Sequence, residues 1–237
     1  MNRPDRAADE AGSSRPLHST ERARRVTPSR HSRGAGLTIE QSRRLAAVEP
    51  YIFAEIAAGK QAAAESGLEV IDLGRGGPDL PPYGEALEEL AVEAADPARY
   101  SYTPYSGSPR LQRAVADWYQ RHFGVTPAAG CVPLMGSKGA LSRIFLAFAD
   151  PGDTVILPDP AFPSYRSAAV LAGLEIHTLA LEPERGWLPD LAAIPDEVAR
   201  RARLILLNYP NNPTGGACGR DFLAELVAWA RETDTLA

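Results

Sequence analysis

Lysine is nearly missing from this sequence: among its 25 basic residues only Lys60 and Lys138 are lysines, and the rest are arginine. Any chemistry that needs a lysine amine must use one of those two positions. Cysteine is as scarce. Cys131 and Cys218 stand alone, with no CxxC pair and no histidine at metal-ligand spacing, which argues against a disulfide framework and against a zinc site. A reducing, cytoplasmic setting is the expectation. No stretch approaches the roughly 18 to 20 consecutive apolar residues of a membrane span, and the N-terminus lacks the apolar core of a secretion signal. The net charge of -5 leaves no dominant basic face to neutralise a nucleic-acid backbone. Membranes and nucleic acids are therefore set aside as partners, and small-molecule chemistry is favoured.

What is present is enough apolar residue for a full core, 44% of 237 positions. Residues 1–36 are rich in Arg, Ser and Ala and almost free of large apolar side chains, so a disordered N-terminal extension is predicted there. Residues 37–72 read as an N-terminal arm and the start of a small domain, with Leu45, Val48, Tyr51, Ile52 and Ile56 at helical intervals. A strand-like run, Val70 to Leu73, meets the glycine-rich turn Gly74 to Pro78. Helices are expected over Tyr83 to Ala95 and Pro109 to Phe123, the latter opened by proline and carrying Leu111, Ala114, Val115, Trp118 and Tyr119 on one stripe.

Beyond Gly124 short strands and helices alternate, the signature of a mostly parallel sheet covered on both faces. Strands are predicted at Cys131 to Met135, Thr154 to Leu157, Glu175 to Leu179 and Arg203 to Leu207. The helices predicted between and after them are Gly139 to Phe148, Ser164 to Leu171, Leu188 to Arg200 and Arg220 to Arg231. Residues 73–237 thus read as part of an α/β domain. Ala237 follows a helix where the alternation calls for another strand, so a piece of a longer protein is the expectation.

Two segments carry chemistry. In Met135-Gly136-Ser137-Lys138-Gly139 a strand pattern runs through a glycine turn into a helix. Free N–H groups and the positive dipole end at such a place favour an anion, and Ser137 and Lys138 add a hydroxyl donor and a cation. The spacing is not that of a Walker loop. The bland alternative is an ordinary turn with Ser137 as the N-cap. In Asn208-Tyr209-Pro210-Asn211-Asn212-Pro213-Thr214-Gly215-Gly216, the density of Asn, Pro and Gly makes a rigid loop at a strand's carboxyl end, where open α/β sheets place ligands. Asn212 before Pro213 is a candidate for a cis peptide.

The segment Asn211-Asn212-Pro213-Thr214-Gly215 resembles the asparagine loop of the class I and II aminotransferases. The resemblance extends in order and spacing through Leu73 to Asp79, Tyr102 to Gly107, Gly136-Ser137-Lys138 and Asp159 to Tyr165. Pro50 to Ile56 and Gly136-Ser137-Lys138 look most like the LL-diaminopimelate aminotransferase subgroup.

That resemblance implies an incomplete three-layer α/β/α large domain of fold type I, with pyridoxal 5'-phosphate as cofactor and with amino acid and 2-oxo acid substrates. It further implies that Gly136, Ser137 and Lys138 bind the cofactor phosphate, that Phe162 stacks on its ring and that Asn212 meets the ring's phenolic oxygen. Tyr102 would reach the cofactor of a neighbouring subunit in a homodimer. Tyr51 and Gly76 would lie beside the substrate. Arg75 and the pair Gly139-Ala140 depart from the closest subgroup, which leaves the substrate open, with a dicarboxylic diamino acid as the leading choice.

In this family a lysine holds the cofactor covalently, and its usual place lies beyond Ala237. Lys60 ends the arm and Lys138 belongs to the anion turn, so neither suits that role, and no catalytic residue is assigned within the chain. An inactive fragment of an aminotransferase is the expected function. Carbon-sulfur lyases on the same scaffold and a non-catalytic, decayed fragment are the alternatives. A dinucleotide-binding dehydrogenase is opposed by the missing third glycine after Gly74-x-Gly76 and by Pro78.

Overall fold

The computed structural model describes residues 39–237 except 75, 103, 128 and 129. The extension predicted over 1–36 lies outside the described residues. The chain divides into Met1–Glu40 and Gln41–Ala237, and the architecture below is that of the second unit.

The arm carries α1 (Arg43–Ala46) and α2 (Ile52–Glu65), followed by α3 (Gly84–Ala95) and α4 (Pro109–Phe123). Each boundary of α4 follows from local chemistry. The Ser108 hydroxyl accepts from the Leu111 N–H at 3.1 Å, Pro109 fills the first turn where no N–H is needed, and Gly124 takes a left-handed conformation at φ 66°. Its predicted stripe does not enter a core. Leu111, Trp118 and Tyr119 are each at least 40% exposed in the chain.

The core is built on three parallel strands in the order β2-β1-β3: β1 (Thr154–Asp159), β2 (Glu175–Ala180) and β3 (Ala202–Ile205). The central strand is buried on both faces. Val155 and Leu157 pack with Phe145 of α5 (Ser137–Phe148) and with Tyr165, Ala168, Ala169 and Ala172 of α6 (Ser164–Ala172). Ile156, pointing the other way, packs with Ala199 of α7 (Asp196–Arg201) and with Phe222 and Leu226 of α8 (Arg220–Glu232). This period of two explains why β1 reads as a continuous apolar run. Fully burying such a side chain contributes about 1.5–3 kcal/mol. On the outer edge of β3 the Leu236 N–H donates to the Arg203 carbonyl at 3.0 Å, and the Leu236 carbonyl accepts from Ile205 at 2.9 Å, forming a parallel bridge.

Three predicted elements are corrected. Cys131 to Met135 is not a strand: it has no ladder partner among the described residues, Pro133 lacks an N–H, and the Cys131 N–H is taken by the Gln112 side chain at 2.8 Å. Val70 to Leu73 is not one either. Asp72 turns this segment by accepting from the Gly74 N–H at 3.0 Å, and Ile71 and Leu73 remain 80% and 92% exposed. The helix predicted over Leu188 to Arg200 is broken into a 3-10 turn, Leu191–Ala193, and the short α7, because Pro195 cannot donate and forces a restart at Asp196. No helix among the described residues is long and apolar enough to cross a membrane.

Candidate functional site

The strand order creates a switch point. From β1 the chain turns into α6 on one face of the sheet, and from β3 it leads to α8 on the other, so a crevice opens between the carboxyl ends of these adjacent strands. The loop after β1 carries Phe162. That after β3 carries Asn211 and Asn212.

Helix α5 starts at the same level of the fold. Gly136 is its N-cap, at φ 77° and ψ 159°, a conformation an L side chain rarely adopts. Ser137 is therefore the first helical residue and not the cap, and its hydroxyl makes no hydrogen bond with any described residue. The N–H groups of the first turn have no acceptor within the helix, and they stand at the positive end of its dipole.

Lys138 reaches from this turn toward the arm and the β1 loop. Its ammonium donates to the Tyr51 hydroxyl at 2.7 Å, lies 4.6 Å from the centroid of the Tyr51 ring and 5.3 Å from that of Phe162. Both rings are within cation–π range. Phe162 is half-buried, with Tyr165 packed edge-on at 5.9 Å. A cavity of about 340 Å³ opens beside it, bounded by Tyr51, Asp159, Phe162, Tyr165 and Arg166 among others. Burial raises the Tyr165 phenol above the usual tyrosine range.

The two asparagines divide their work. Asn211 is 3% exposed; its side-chain amide donates to the Thr214 hydroxyl at 2.9 Å and to the Pro160 carbonyl at 3.4 Å, across the crevice. Its main chain is paired as well, donating to Gly216 and accepting from Gly215, each at 2.7 Å. Asn212 is exposed, makes no side-chain hydrogen bond with a described residue, and precedes a cis bond to Pro213.

Trp187, a non-glycine residue at φ 65°, braces the loop from behind. A Cβ on Gly216 would stand 2.6 Å from the Trp187 Cβ, so only glycine fits there. The Trp187 carbonyl accepts from the Tyr209 hydroxyl at 2.9 Å. Burial, with the nearby Cys218 adding to it, pushes the Tyr209 phenol up to about 12.

Of the residues singled out from the sequence, the structure brings Lys138, Tyr51 and Phe162 into direct contact, with Gly136 and Ser137 at the adjoining helix start. Asn212 sits on the loop that Asn211 ties to Pro160. Tyr102 is fully exposed, and Gly76 is exposed with nothing within 4 Å of a Cβ placed on it, so neither joins this group within the chain. The roles of Asn211 and Trp187 were not foreseen. The doubled asparagine was a signal for the first, whereas nothing around Gly186-Trp187 announces the second.

The donor set suits a flat, phosphorylated ring at the points present: a helix start with a hydroxyl and a cation, an aromatic plate, and a free amide. Covalent attachment has no candidate as good. Lys60 is spent on Asp72 at 2.5 Å, and Lys138 is held at the helix start.

Comparison with known proteins identifies the family. The family model for aminotransferase class I and II matches residues 69–237. The LL-diaminopimelate aminotransferase of Gloeobacter violaceus is 42% identical over 196 residues, which cover 81% of this chain and 50% of that protein. Among solved structures, a probable N-succinyldiaminopimelate aminotransferase from Thermus thermophilus superposes with a TM-score of 0.70 at 35% identity, over 78% of this chain and 50% of that one. A mutant aspartate aminotransferase from Thermus thermophilus gives 0.74 at 30% identity, over 84% and 52%. The chain spans about half the length of the relatives it matches. With the family model covering most of its residues, the chain belongs to the class I and II aminotransferases, which are pyridoxal phosphate enzymes of fold type I.

Proposed function

We propose that this chain supplies the phosphate- and ring-binding part of an aminotransferase that moves an amino group from an amino acid to a 2-oxo acid. The observation that carries the reading is the position of the Lys138 ammonium, which starts from the anion-favouring end of α5 and lies over the Phe162 ring. Charge and plate therefore share one place.

In this reading Ser137, Lys138 and the first-turn N–H groups hold the phosphate, with Gly136 letting the backbone approach closely. Phe162 supports the ring by stacking, and the free amide of Asn212 donates to the ring's phenolic oxygen. Tyr51 borders the substrate, and Gly76 offers its N–H to the substrate carboxylate. When bound, pyridoxal phosphate supplies the electron sink for the carbon whose amino group is exchanged. Tyr102, fully exposed here, serves a second copy of the chain in a homodimer, and a cytoplasmic setting belongs to the same reading. A dicarboxylic diamino acid is the proposed donor, in keeping with relatives named LL-diaminopimelate aminotransferase at 42% identity.

The same reading expects this chain by itself to bind the cofactor without a covalent bond and to lack transaminase activity. Equilibrium dialysis with pyridoxal phosphate tests the first part, the expected result being saturable binding that Ser137→Ala and Lys138→Ala weaken together. Borohydride reduction with peptide mapping tests the absence of a covalent bond: a stoichiometric pyridoxyl group on Lys60 or Lys138 would contradict it.

A further inference from the structure

Asn211 does something that the family reading of its neighbour does not require. It is one of the few buried polar residues among the described residues, and its side chain is shared between two loops that leave different strands. The bond to Thr214 and the two main-chain bonds at 2.7 Å fold the β3 loop on itself. Only the bond from its side-chain amide to the Pro160 carbonyl crosses the crevice to the β1 loop, two residues before Phe162. Thr214 completes the joint, its hydroxyl oxygen also accepting from the Gly216 N–H at 3.1 Å. A buried amide that donates to both loops from its nitrogen rigidifies what it joins.

We propose that Asn211 is a positioning residue that fixes the separation of the Phe162 ring from the Asn212 amide, and so sets the fit of a phosphorylated ring between them. This rests on the reading of the site as a cofactor pocket. The anion end is built separately, on the start of α5, with which Asn211 shares no hydrogen bond among the described residues. The two halves of the ligand should therefore respond differently when Asn211 is changed. Binding of inorganic phosphate alone requires only the helix start, whereas binding of pyridoxal phosphate also requires the two loops to be in register.

The test uses the full chain with Asn211→Leu, Asn211→Asp, Thr214→Val and Thr214→Ser, each checked for retained helix and sheet by circular dichroism. In the free chain, amide exchange of Ala161 and Phe162 is expected to rise about tenfold together with that of residues 211–216 in Asn211→Leu, while Val155 to Leu157 stay protected. With ligands, Asn211→Leu, Asn211→Asp and Thr214→Val should weaken pyridoxal phosphate about tenfold and leave inorganic phosphate within about twofold, and Thr214→Ser should restore wild-type affinity. Faster exchange confined to the β3 loop would overturn the proposal, as would equal losses for both ligands. Should the wild-type chain bind phosphate but show no added affinity for pyridoxal phosphate, the cofactor reading fails, and with it the assigned role. Coupled exchange of the two loops would then still be seen, which separates that failure from the absence of the clamp.

Discussion

The ammonium of Lys138 and the hydroxyl of Tyr51 form a 2.7 Å hydrogen bond that ties the anion-favouring start of α5 to the N-terminal arm. The same ammonium lies over the Phe162 ring, the surface on which a flat ligand would stack. In the proposed pocket, a phosphorylated ring that stacks on Phe162 draws the ammonium away from Tyr51 toward the phosphate. Lys138→Ala should lower affinity for pyridoxal phosphate by tenfold or more, since a hydrogen bond to a charged group contributes about 1.5–3 kcal/mol. Tyr51→Phe removes the competing acceptor, and affinity should stay level or rise. Titration by fluorescence checks both, and a tenfold loss in Tyr51→Phe would refute the exchange.

Ile156 on the central strand is fully buried, whereas Leu73 is 92% exposed. Ile156→Ala should cost about 2–5 kcal/mol of stability because the surrounding helices cannot close the space. Leu73→Ala should change stability by no more than about 0.5 kcal/mol. Urea denaturation of the two variants measures the contrast.

Tyr209 provides a pH signature. Its phenol is raised to about 12 in the folded chain, above an ordinary tyrosine value near 10. The folded state thus holds this proton more tightly than the unfolded state. The stability it contributes is complete below about pH 10 and is lost as pH rises through about 12. Ultraviolet titration should lose its Tyr209 component in Tyr209→Phe while the raised Tyr165 phenol remains, and denaturation at alkaline pH should show a smaller decline for that variant.

Gly216 and Gly219 offer a matched pair. A methyl group on Gly216 would meet the Trp187 side chain at 2.6 Å, whereas one on Gly219 would meet nothing within 4 Å. Gly216→Ala should destabilise the chain by about 1–3 kcal/mol and displace the asparagine loop, lowering cofactor affinity. Gly219→Ala, at the N-cap of α8, should cost no more than about 1 kcal/mol and leave the asparagine loop and cofactor affinity unchanged. Thermal unfolding with and without pyridoxal phosphate distinguishes them.

Elements defined by local chemistry were legible in the sequence. Ser108, Pro109 and Gly124 mark the ends of α4, and the apolar run Val155 to Leu157 marks a strand with two covered faces. Elements defined by a distant partner were not. Val132 and Ile71 sit in segments with strand-like composition, yet a strand exists only where a neighbour supplies a ladder, and periodicity carries no information about neighbours. Pro195 was a readable stop inside the Leu188 to Arg200 segment that the apolar spacing overrode. Within the site, the glycine turn into α5 and the Asn212–Pro213 cis bond were foreseen. The difference between Asn211 and Asn212 was not, because adjacent, identical side chains acquire opposite roles only when one loop folds against another.

Whether one flat, phosphorylated molecule is held jointly by the Ser137 turn, Phe162 and Asn212 is measured most directly by pyridoxal phosphate affinity in Ser137→Ala, Phe162→Ala, Asn212→Ala and the pairwise combinations. Saturable binding in the unaltered chain, weakened by each change and with non-additive losses in the pairs, is the predicted result. Binding that is absent from the unaltered chain, or indifferent to all three side chains, would contradict it.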